Sequence, residues 1–443
     1  MSIFRQKFFR DFFKKIDIYP QIRYNVNMEK IKTAIIGGGA SGLVLASALK
    51  NKQKTVVFER GERVGKKLAA TGNGQGNVSN LSVTKEDYFS FSGGETLAKD
   101  IVARYDNASL VEYFENAGLL LITDDRGRIY PAGRQASALS DALRNLLSTS
   151  EVEIRVKTRV VDMERVKGGY VLTVEKQNAE REQVFAERVV LCAGGTVARS
   201  FGTDGSAYAL AQKMGHTLTQ LFPSLVQLKA DTKELKTLKG IRVPDATVTA
   251  FYTDFSFGSP RRRSVRLKGD IMFADYGVSG DSIFRLSPFL THRLQGGVVL
   301  SIDFLPTFTE NYIYQSLVKK QAQFPDLPTG ELLCGFVNNQ IARVVMKRAK
   351  GDLQAAARMV KAFTLTITGH LGLDSAQVTK GGIRMDEVDE NLQSKKQKNL
   401  YFAGEILDID GQCGGYNLQW AYSSARIVAA AIDYEIEKGR GQV

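Results

Sequence analysis

Cysteine, histidine, proline and tryptophan are all scarce in this sequence. Its 443 residues contain 3 Cys, 3 His, 9 Pro and 1 Trp. The cysteines, Cys192, Cys334 and Cys413, are widely spaced and odd in number. This excludes a disulfide scaffold and predicts a reducing, cytoplasmic compartment. The scattered histidines form no HxxxH motif and no cluster with cysteine, so we expect no metal site.

Long apolar runs are also absent. The most apolar stretch, residues 34–49, spans about 16 residues and includes four glycines, too short and too rich in glycine to cross a membrane. Residues 1–27 mix basic and aromatic side chains, and their charges interrupt any signal-peptide core. One interpretation is a short basic amphipathic helix on a membrane surface. We prefer a loose tail or translation artefact before a natural start at Met28, and expect no integral membrane association.

Positive charge is in excess. Lys and Arg total 60 against 47 Asp and Glu, a formal net charge of +13. The densest run is Arg261–Arg263, followed by Arg266 and Lys268, in a predicted hairpin. A phosphate or RNA patch is one interpretation of this run, and a solvated turn is the other. We prefer the solvated turn and do not expect a nucleic-acid partner, because no RNA-binding module is recognisable.

Glycine is the residue whose placement is informative. The sequence predicts a buried strand over Ile31–Ile36, a glycine turn, a helix over Ala40–Asn51 and a second strand over Thr55–Glu59. The turn and helix start read GGGASG over residues 37–42, which matches GxGxxG in its proper β-α-β context. This arrangement is typical of a dinucleotide-binding domain, and it does not by itself distinguish FAD from NAD.

Each part of this motif has a physical task. Gly37 permits the tight turn, Gly39 lets the backbone approach a pyrophosphate at the helix N-terminus, and Gly42 allows close helix–strand packing. Glu59 lies about 20 residues further on, where a carboxylate can bind ribose hydroxyls. The predicted nucleotide-binding residues of this region are Gly37, Gly39, Ala40, Ser41, Gly42, Glu59 and Arg60.

Three later segments favour FAD. Residues 63–80 form a loop rich in Gly and Asn, able to run its backbone beside a planar ring and to offer amides to a phosphate. Residues 191–195 end a buried strand at a glycine turn, and residues 399–425 repeat the pattern before a long helix. Glu405 can accept hydrogen bonds from a ribityl chain. The helix starting near Asn417 would direct its positive end at the flavin. The further predicted cofactor-binding residues are Lys67, Asn73, Gly74, Val160, Ala193, Gly194, Gly404, Glu405, Gly415, Asn417 and Leu418.

Candidate catalytic groups are few. Cys413 and Tyr416 lie in the glycine loop before the predicted flavin-facing helix. Cys413 can be a redox thiol or a packed small side chain, and Tyr416 a proton donor. Asp275 and Tyr276 are candidates to cap the site from the middle of the chain. The sequence has no second GxGxxG after a strand, so NAD(P)H would dock transiently over the flavin or another reductant would serve.

The chain divides into a split α/β domain and an insertion. We expect a basic extension over 1–27, the first part of the cofactor domain over 28–200, a β-rich insertion over 201–307, a helical piece over 308–364 and the return of the cofactor domain over 365–443. Within these pieces the pattern predicts a strand over Val152–Val161 and helices over Glu331–Lys350 and Asp352–Thr364.

Taken together, these segments resemble a large bacterial family of NAD(P)/FAD-dependent, aminoacetone-oxidase-like flavoproteins, which includes a flavoprotein of bile-acid dehydroxylation. The resemblance spans about 31–432, and the closing GQCGGYNLQWAYSS is its most specific part. It implies a glutathione-reductase-type FAD domain split by a β-barrel-like domain and a helical subdomain. The family loop usually reads GGGRCN where this chain has Gly74-Gln75-Gly76-Asn77. An arginine and a thiol are therefore missing here.

The expected activity is that of an FAD-dependent oxidoreductase. It would transfer a hydride between flavin and a small organic substrate, for example as an enone reductase or as an amine or alcohol oxidase, with NAD(P)H as reductant. Two alternatives stay open: a flavoprotein that acts on or binds RNA through the basic insertion, and a flavin-binding module without turnover. Oligomeric state cannot be inferred from the sequence.

Overall fold

The structure is a computed structural model that describes residues 28–83, 87–231, 235–255 and 259–440. The expected basic extension over residues 1–27 lies outside the described residues. The strands are β1 Glu29–Ile36, β2 Thr55–Phe58, β3 Ser79–Asn80, β4 Tyr88–Phe89, β5 Leu121–Thr123, β6 Arg128–Pro131, β7 Glu153–Arg155, β8 Thr158–Val166, β9 Gly169–Lys176, β10 Arg181–Leu191, β11 Phe222–Ser224, β12 Leu228–Ala230, β13 Arg242–Asp254, β14 Arg261–Ala274, β15 Gly277–Ser279, β16 Val298–Asp303, β17 Phe363–His370, β18 Val378–Lys380, β19 Leu400–Phe402 and β20 Asp410–Gly411. The α-helices are α1 Ala40–Ala48, α2 Glu95–Arg104, α3 Asn107–Asn116, α4 Ser137–Ser148, α5 Ser206–Lys213, α6 Asp281–Leu290, α7 Glu310–Gln323, α8 Asn339–Arg348, α9 Leu353–Lys361 and α10 Tyr416–Arg440.

The main sheet has seven strands and sets the position of the site. Its order is β7-β2-β1-β10-β9-β8, and β19 also pairs with β10. Strands β7, β2, β1, β10 and β19 run parallel, and their last residues are in register: Ile36 pairs with both Phe58 and Leu191, and Leu191 pairs with Phe402. The glycine turns that follow these strands therefore meet at one carboxyl edge, where open α/β sheets bind nucleotides.

The insertion is a closed six-stranded barrel with the order β12-β15-β14-β13-β16-β17. Alternate barrel residues such as Val248, Ala250, Leu300 and Ile302 point inward and are fully buried. Helices α7, α8 and α9 contribute buried side chains to the same core. Barrel and helices are therefore one packing unit around one core, and the helical piece expected over 308–364 has no core of its own.

Two expected boundaries do not coincide with the limits of the two cores. Strand β17 pairs with β12 and β16 and closes the barrel, so a return to the cofactor domain at residue 365 would cut this strand. Helix α5 lies beyond residue 200, yet Ala207, Leu210 and Ala211 belong to the core of the main sheet. The buried residues of the first core instead end at Met214 and resume at Ile383, while those of the second core run from Leu228 to Ile367.

Three predicted elements are also shorter than expected. The strand over 152–161 breaks between β7 and β8, where Lys157 has a φ of 54°. The helix over 331–350 begins only at Asn339, because Gly335 has a φ of 87° and the Asn338 side chain caps α8 by accepting from Gln340 N. The second helix ends at Lys361, since the chain enters β17 at Phe363. Apolar periodicity predicted these segments without the breaks.

Candidate active site at the junction of the two cores

A single cavity of about 810 Å³ runs from the carboxyl edge of the main sheet to the barrel. One end is lined by the GGGASG turn, the loop after β2 and the start of α10. The other end is lined by β6, by the loop before α10 and by barrel residues, including Met272 of β14 and Phe284 of α6. Such a position, at the edge of a parallel sheet and between two cores, is where α/β enzymes hold a cofactor together with its substrate.

The GGGASG turn is built by close backbone contacts. A Cβ at Gly37, whose φ is 111°, would lie 2.7 Å from the Cα of Ala193, and a Cβ at Gly42 would lie 1.9 Å from the Gly37 carbonyl oxygen. At Gly39 a Cβ would meet nothing within 4 Å. Gly37 and Gly42 are therefore required by packing, whereas Gly39 faces the open cavity at the N-terminus of α1. A side chain there would occupy the space that a pyrophosphate needs.

The carboxylate after β2 is held rigidly. Glu59 Oε2 accepts from Gly38 N at 2.9 Å, and Oε1 accepts from Gly61 N at 2.6 Å. Next to it, the Arg60 guanidinium donates to the Gly202 carbonyl at 2.9 Å and pairs with Asp204. Glu59 is thereby fixed at the cavity wall with lone pairs left to accept hydrogen bonds from ribose hydroxyls.

Lys67 reaches across the cavity wall to the second glycine segment. Its Nζ lies 2.7 Å from Glu405 Oε2, and Glu405 Oε1 accepts from Thr379 N at 2.9 Å. Both side chains are partly buried and line the cavity. This ion pair joins the loop after β2 to the turn after β19, two segments separated by 338 residues in the chain. Amino and carboxylate groups at this point can bind a phosphate and a polyol respectively.

The N-terminus of α10 is locked in place at the same cavity. The Trp420 indole donates to the Gly404 carbonyl at 3.2 Å, and Gly404 N donates to the Ser424 hydroxyl at 2.9 Å. Asn417 closes the preceding loop, accepting from Gly411 N and donating to the Gly411 carbonyl, both at 2.8 Å. The first turn of this 25-residue helix therefore presents its free amides to the cavity without needing to move.

These features fit FAD. Two helix N-termini, those of α1 and α10, face one cavity, and each favours negative charge. The open cradle at Gly39 suits a pyrophosphate, and Glu59 suits a ribose. The second helix end suits the pyrimidine edge of a flavin, which becomes negatively charged on reduction. The residues that would hold FAD are thus supplied by the GGGASG turn and by the three later glycine segments that the sequence indicates.

Most of the predicted site residues line the cavity. They are Gly37, Gly39, Ala40, Ser41, Glu59, Arg60, Lys67, Asn73, Val160, Ala193, Gly194, Glu405, Cys413, Gly415, Asn417 and Leu418. Gly42, Gly74, Gly404, Tyr276 and Tyr416 are not among the lining residues. Gly42 and Gly404 act through packing, since a Cβ at Gly404 would lie 2.6 Å from Ser41 Oγ.

The two tyrosines do not reach the cavity, for different reasons. Tyr416 is 8% exposed and packs edge-on against Tyr88, and burial raises the pKa of its phenol to about 12. Tyr276 lies in the turn between β14 and β15, where its carbonyl oxygen accepts from Ala230 N. Its neighbour Asp275 forms an exposed ion pair with Lys239. This turn therefore belongs to the barrel, and the expected cap over the site is not formed by it.

The loop that differs from GGGRCN has a backbone suited to its own residues. Gly76 has a φ of 78°, and a Cβ there would lie 2.8 Å from the Cα of Ala136. A cysteine at this position would not fit the local backbone. Gln75 lines the cavity, and the Arg134 guanidinium donates to its Oε1 at 3.4 Å. A guanidinium thus approaches this loop from the segment before α4.

The barrel end of the cavity contains charged groups that sequence reasoning missed. Arg128, the first residue of β6, lies 2.5 Å from Asp281 at the start of α6. Arg285, one helical turn later, lies 3.7 Å from the same carboxylate. The cavity-lining Cys413 is adjacent, and burial, together with Asp281, raises the pKa of its thiol to about 11. No local pattern predicted this cluster, because Arg128 and Asp281 are 153 residues apart.

Within the four described ranges, no group of three or more His, Cys, Asp and Glu side chains could hold a metal ion. Over the same part of the chain, no helix is long and apolar enough to cross a membrane.

The chain belongs to the family described as HI0933-like protein Rossmann domain, whose model matches residues 31–431. It is an FAD-dependent oxidoreductase with a Rossmann-like FAD-binding domain and an inserted closed barrel. It is 32% identical over 421 residues to the 3-dehydro-bile acid Δ4,6-reductase of Clostridium scindens, covering 90% of this chain and 98% of that protein. It is 26% identical over 414 residues to the ribosomal RNA dihydrouridine synthase of Haemophilus influenzae, covering 90% and 97%.

Solved flavoprotein structures are more distant. A flavocytochrome c3 fumarate reductase in an open conformation matches with a TM-score of 0.48 and 14% identity, covering 97% of this chain and 81% of that one. The 3-ketosteroid Δ4-(5α)-dehydrogenase of Rhodococcus jostii RHA1, in complex with 4-androstene-3,17-dione, matches with a TM-score of 0.44 and 15% identity, covering 93% and 98%.

Proposed function

We propose that this protein reduces a carbon–carbon double bond conjugated to a carbonyl group in a small organic substrate, with NAD(P)H as reductant. The observation that carries this proposal is the continuous cavity, which joins the FAD-binding edge of the sheet to a pocket containing both apolar and cationic side chains. Bound FAD, once reduced, supplies the hydride. Met272 and Phe284 provide apolar surface for the carbon skeleton of the substrate.

The names of two relatives support reduction of a carbon–carbon double bond as the reaction. The Clostridium scindens protein is by its name a Δ4,6-reductase, and dihydrouridine differs from uridine by saturation of one ring double bond next to a carbonyl. Both relatives are covered almost end to end. The chemistry common to both names is reduction of a polarised double bond, and this is the reaction that we assign to this chain.

Cys413 is our candidate for the acid that protonates the substrate. Its thiol lines the cavity, and a pKa of about 11 keeps it neutral near pH 7, so it retains a proton to donate. The same neutrality disfavours a thiolate nucleophile. Tyr416 packs against Tyr88 and does not line the cavity, so we do not assign the proton to it. A cytoplasmic location is proposed too, in keeping with three free cysteines.

An acceptor screen tests this function. The purified protein should be yellow, and its oxidation of NADH or NADPH should depend on an added enone, with one saturated product formed per nicotinamide oxidised. Amines and alcohols should give no flavin reduction. Nicotinamide oxidation that needs only oxygen and ignores every enone would argue against a reductase. A flavin that no nicotinamide reduces would favour a binding module without turnover.

RNA is a second candidate substrate, favoured by one surface observation. Arg262, Arg266 and Lys268 lie at alternate positions of β14, are exposed, and so share one face of the strand. On the neighbouring strand Phe251, 50% exposed, pairs with Ser264 of the same face. Guanidinium groups beside an aromatic ring can contact phosphates and stack on bases.

Charge reversal tests this second candidate. If RNA is the substrate, a transcript of ribosomal RNA should be retained at low salt, and R262E/R266E/K268E should weaken retention and reduce the slope of log K against log salt by about 3. The three exposed changes should leave flavin content unaltered. Equal retention of RNA by the variant, or none by the wild type at low salt, would remove RNA from consideration.

A further inference from the structure

We propose that Arg128 is a catalytic residue that stabilises negative charge on the carbonyl oxygen of the substrate, and that Asp281 positions it from across the junction of the two cores. This inference rests on the proposed reduction of a conjugated double bond. Arg128, a side chain of the cofactor domain, would recognise the carbonyl group. Asp281, a side chain of the barrel unit, would hold Arg128 in position.

The location of Arg128 carries the inference. Its side chain lines the cavity and is 22% exposed, and its Nη2 lies 2.5 Å from Asp281 Oδ1. A Cβ built on Gly414 would lie 3.7 Å from Arg128 Nε, so the guanidinium lies against the loop that leads into α10. The Asn80 amide fixes this loop by donating to the Gly414 carbonyl at 3.2 Å. Arg128 is therefore next to the helix end that faces the flavin.

The carboxylate of Asp281 is arranged to hold a guanidinium. It is the first residue of α6, is 15% exposed, and lies between Arg128 and Arg285. The Arg285 guanidinium also donates to the Lys268 carbonyl at 3.3 Å, which ties it to the barrel. Asp281 thus belongs to the barrel unit, while Arg128 belongs to the cofactor domain. The pair forms only when the two cores are packed together.

Arg128 has hydrogen-bond donors to spare. A guanidinium carries five N–H donors, and Asp281 is the acceptor that the described part of the chain provides for this one. Burial alone would lower the pKa of Arg128, but the charge and hydrogen bond of Asp281 outweigh burial and raise it. The group remains a cation throughout the working pH range. It can donate hydrogen bonds to an oxygen without losing a proton.

The electron balance of the step gives Arg128 its task. Hydride addition at the β-carbon forms one C–H bond, breaks the C=C π bond and moves its electron pair toward the carbonyl oxygen, which becomes an enolate oxygen. Arg128 donates hydrogen bonds to that oxygen as its charge grows. The electron pair then returns to the α-carbon, which takes a proton from Cys413, and water restores the thiol. The hydride would come from reduced FAD and be replaced by a hydride from the nicotinamide, so each turnover consumes one hydride and one proton from solvent.

Separate measurement of the two half-reactions tests the proposal. We would compare R128M, R128K and D281N with the wild type by anaerobic stopped-flow spectroscopy. NADPH or NADH reduces the bound flavin in one experiment, and cyclohexenone or a 4-ene-3-ketosteroid reoxidises it in the other. R126M is the matched control, because Arg126 is an exposed arginine two residues before Arg128, in the turn between β5 and β6, and does not line the cavity.

The expected result is selective. R128M and R128K should bind FAD and accept electrons from the nicotinamide as the wild type does, and should be reoxidised normally by oxygen. Reoxidation by the enone should be about 100- to 1,000-fold slower at saturating substrate, the usual cost of removing one donor to an oxyanion. In D281N the rate of reoxidation by the enone should fall about tenfold, because the guanidinium remains but is less well positioned. R126M should match the wild type.

Chemical rescue separates a catalytic role from a structural one. Millimolar guanidinium chloride should restore part of the enone-dependent rate of R128A and leave R126A unchanged. Reoxidation of R128M by the enone within about threefold of the wild-type rate would overturn the assignment to Arg128, since loss of an oxyanion donor costs far more. A wild-type flavin that no enone reoxidises would instead overturn the proposed reaction, so the two failures are distinguishable.

Discussion

Replacement of Gly39 by leucine should give a folded, colourless protein. The φ of Gly39 is −84°, which any L-residue adopts, and a Cβ there meets no protein atom within 4 Å. The leucine side chain would instead fill the cradle where the pyrophosphate must approach the N-terminus of α1. We expect FAD affinity to fall at least about 100-fold, equivalent to about 3 kcal/mol. Flavin absorbance after purification, and again after incubation with excess FAD, measures this loss of FAD binding.

Gly133→Leu is the matched control for this substitution. Gly133 is exposed, and a Cβ there also meets nothing within 4 Å, but its open space is solvent and not the cavity. This variant should remain yellow. If G39L retained FAD as well as G133L does, the open cradle at Gly39 would not be the pyrophosphate site.

Lys380→Met should destabilise the protein by about 3 to 5 kcal/mol, the usual cost of removing one partner from a buried ion pair. Lys380 Nζ lies 3.1 Å from Asp410 Oδ1, and the two side chains are 5% and 1% exposed. The ammonium group also lies 4.9 Å from the ring centres of Phe89 and Phe91. Its loss leaves a buried carboxylate whose remaining partner is the Ser224 hydroxyl at 2.9 Å.

Urea unfolding measures this cost, with the single tryptophan as reporter. Trp420 is 1% exposed in the first core. The double variant K380M/D410N should recover most of the loss, because the uncompensated charge is gone. Lys239→Met removes an exposed ion pair and should leave the free energy of unfolding almost unchanged. A loss under about 1 kcal/mol in K380M as well would show that this pair is not needed to keep the Asp410 carboxylate in the core.

Most of the predicted cofactor residues line one cavity, and the sequence could bring them together because each signal there is local. GxGxxG, Glu59 and the glycine loop before α10 are short segments at the ends of strands, and in-register parallel pairing brings strand ends to one edge. The family resemblance added the barrel, which alternation alone had indicated only as a β-rich insertion. FAD as the cofactor followed from several segments pointing to the same edge.

The substrate end could not be predicted in the same way. Arg128 begins a four-residue strand and Asp281 follows a glycine, and neither position differs from an ordinary surface residue in the sequence. Their proximity arises from the docking of the barrel on the cofactor domain, a long-range contact without any local periodicity. Tyr276 was instead the residue expected to cap the site from the middle of the chain, yet its turn packs within the barrel.

A single anaerobic turnover tests the central claim most directly. The purified wild-type protein would be reduced under argon with one equivalent of NADPH or NADH, and then mixed with an enone. We predict that the flavin absorbance is bleached by the nicotinamide and returns on mixing, with one saturated product formed for each flavin reoxidised. A flavin that stays bleached with every enone, and recovers its colour only when oxygen is admitted, would contradict the account.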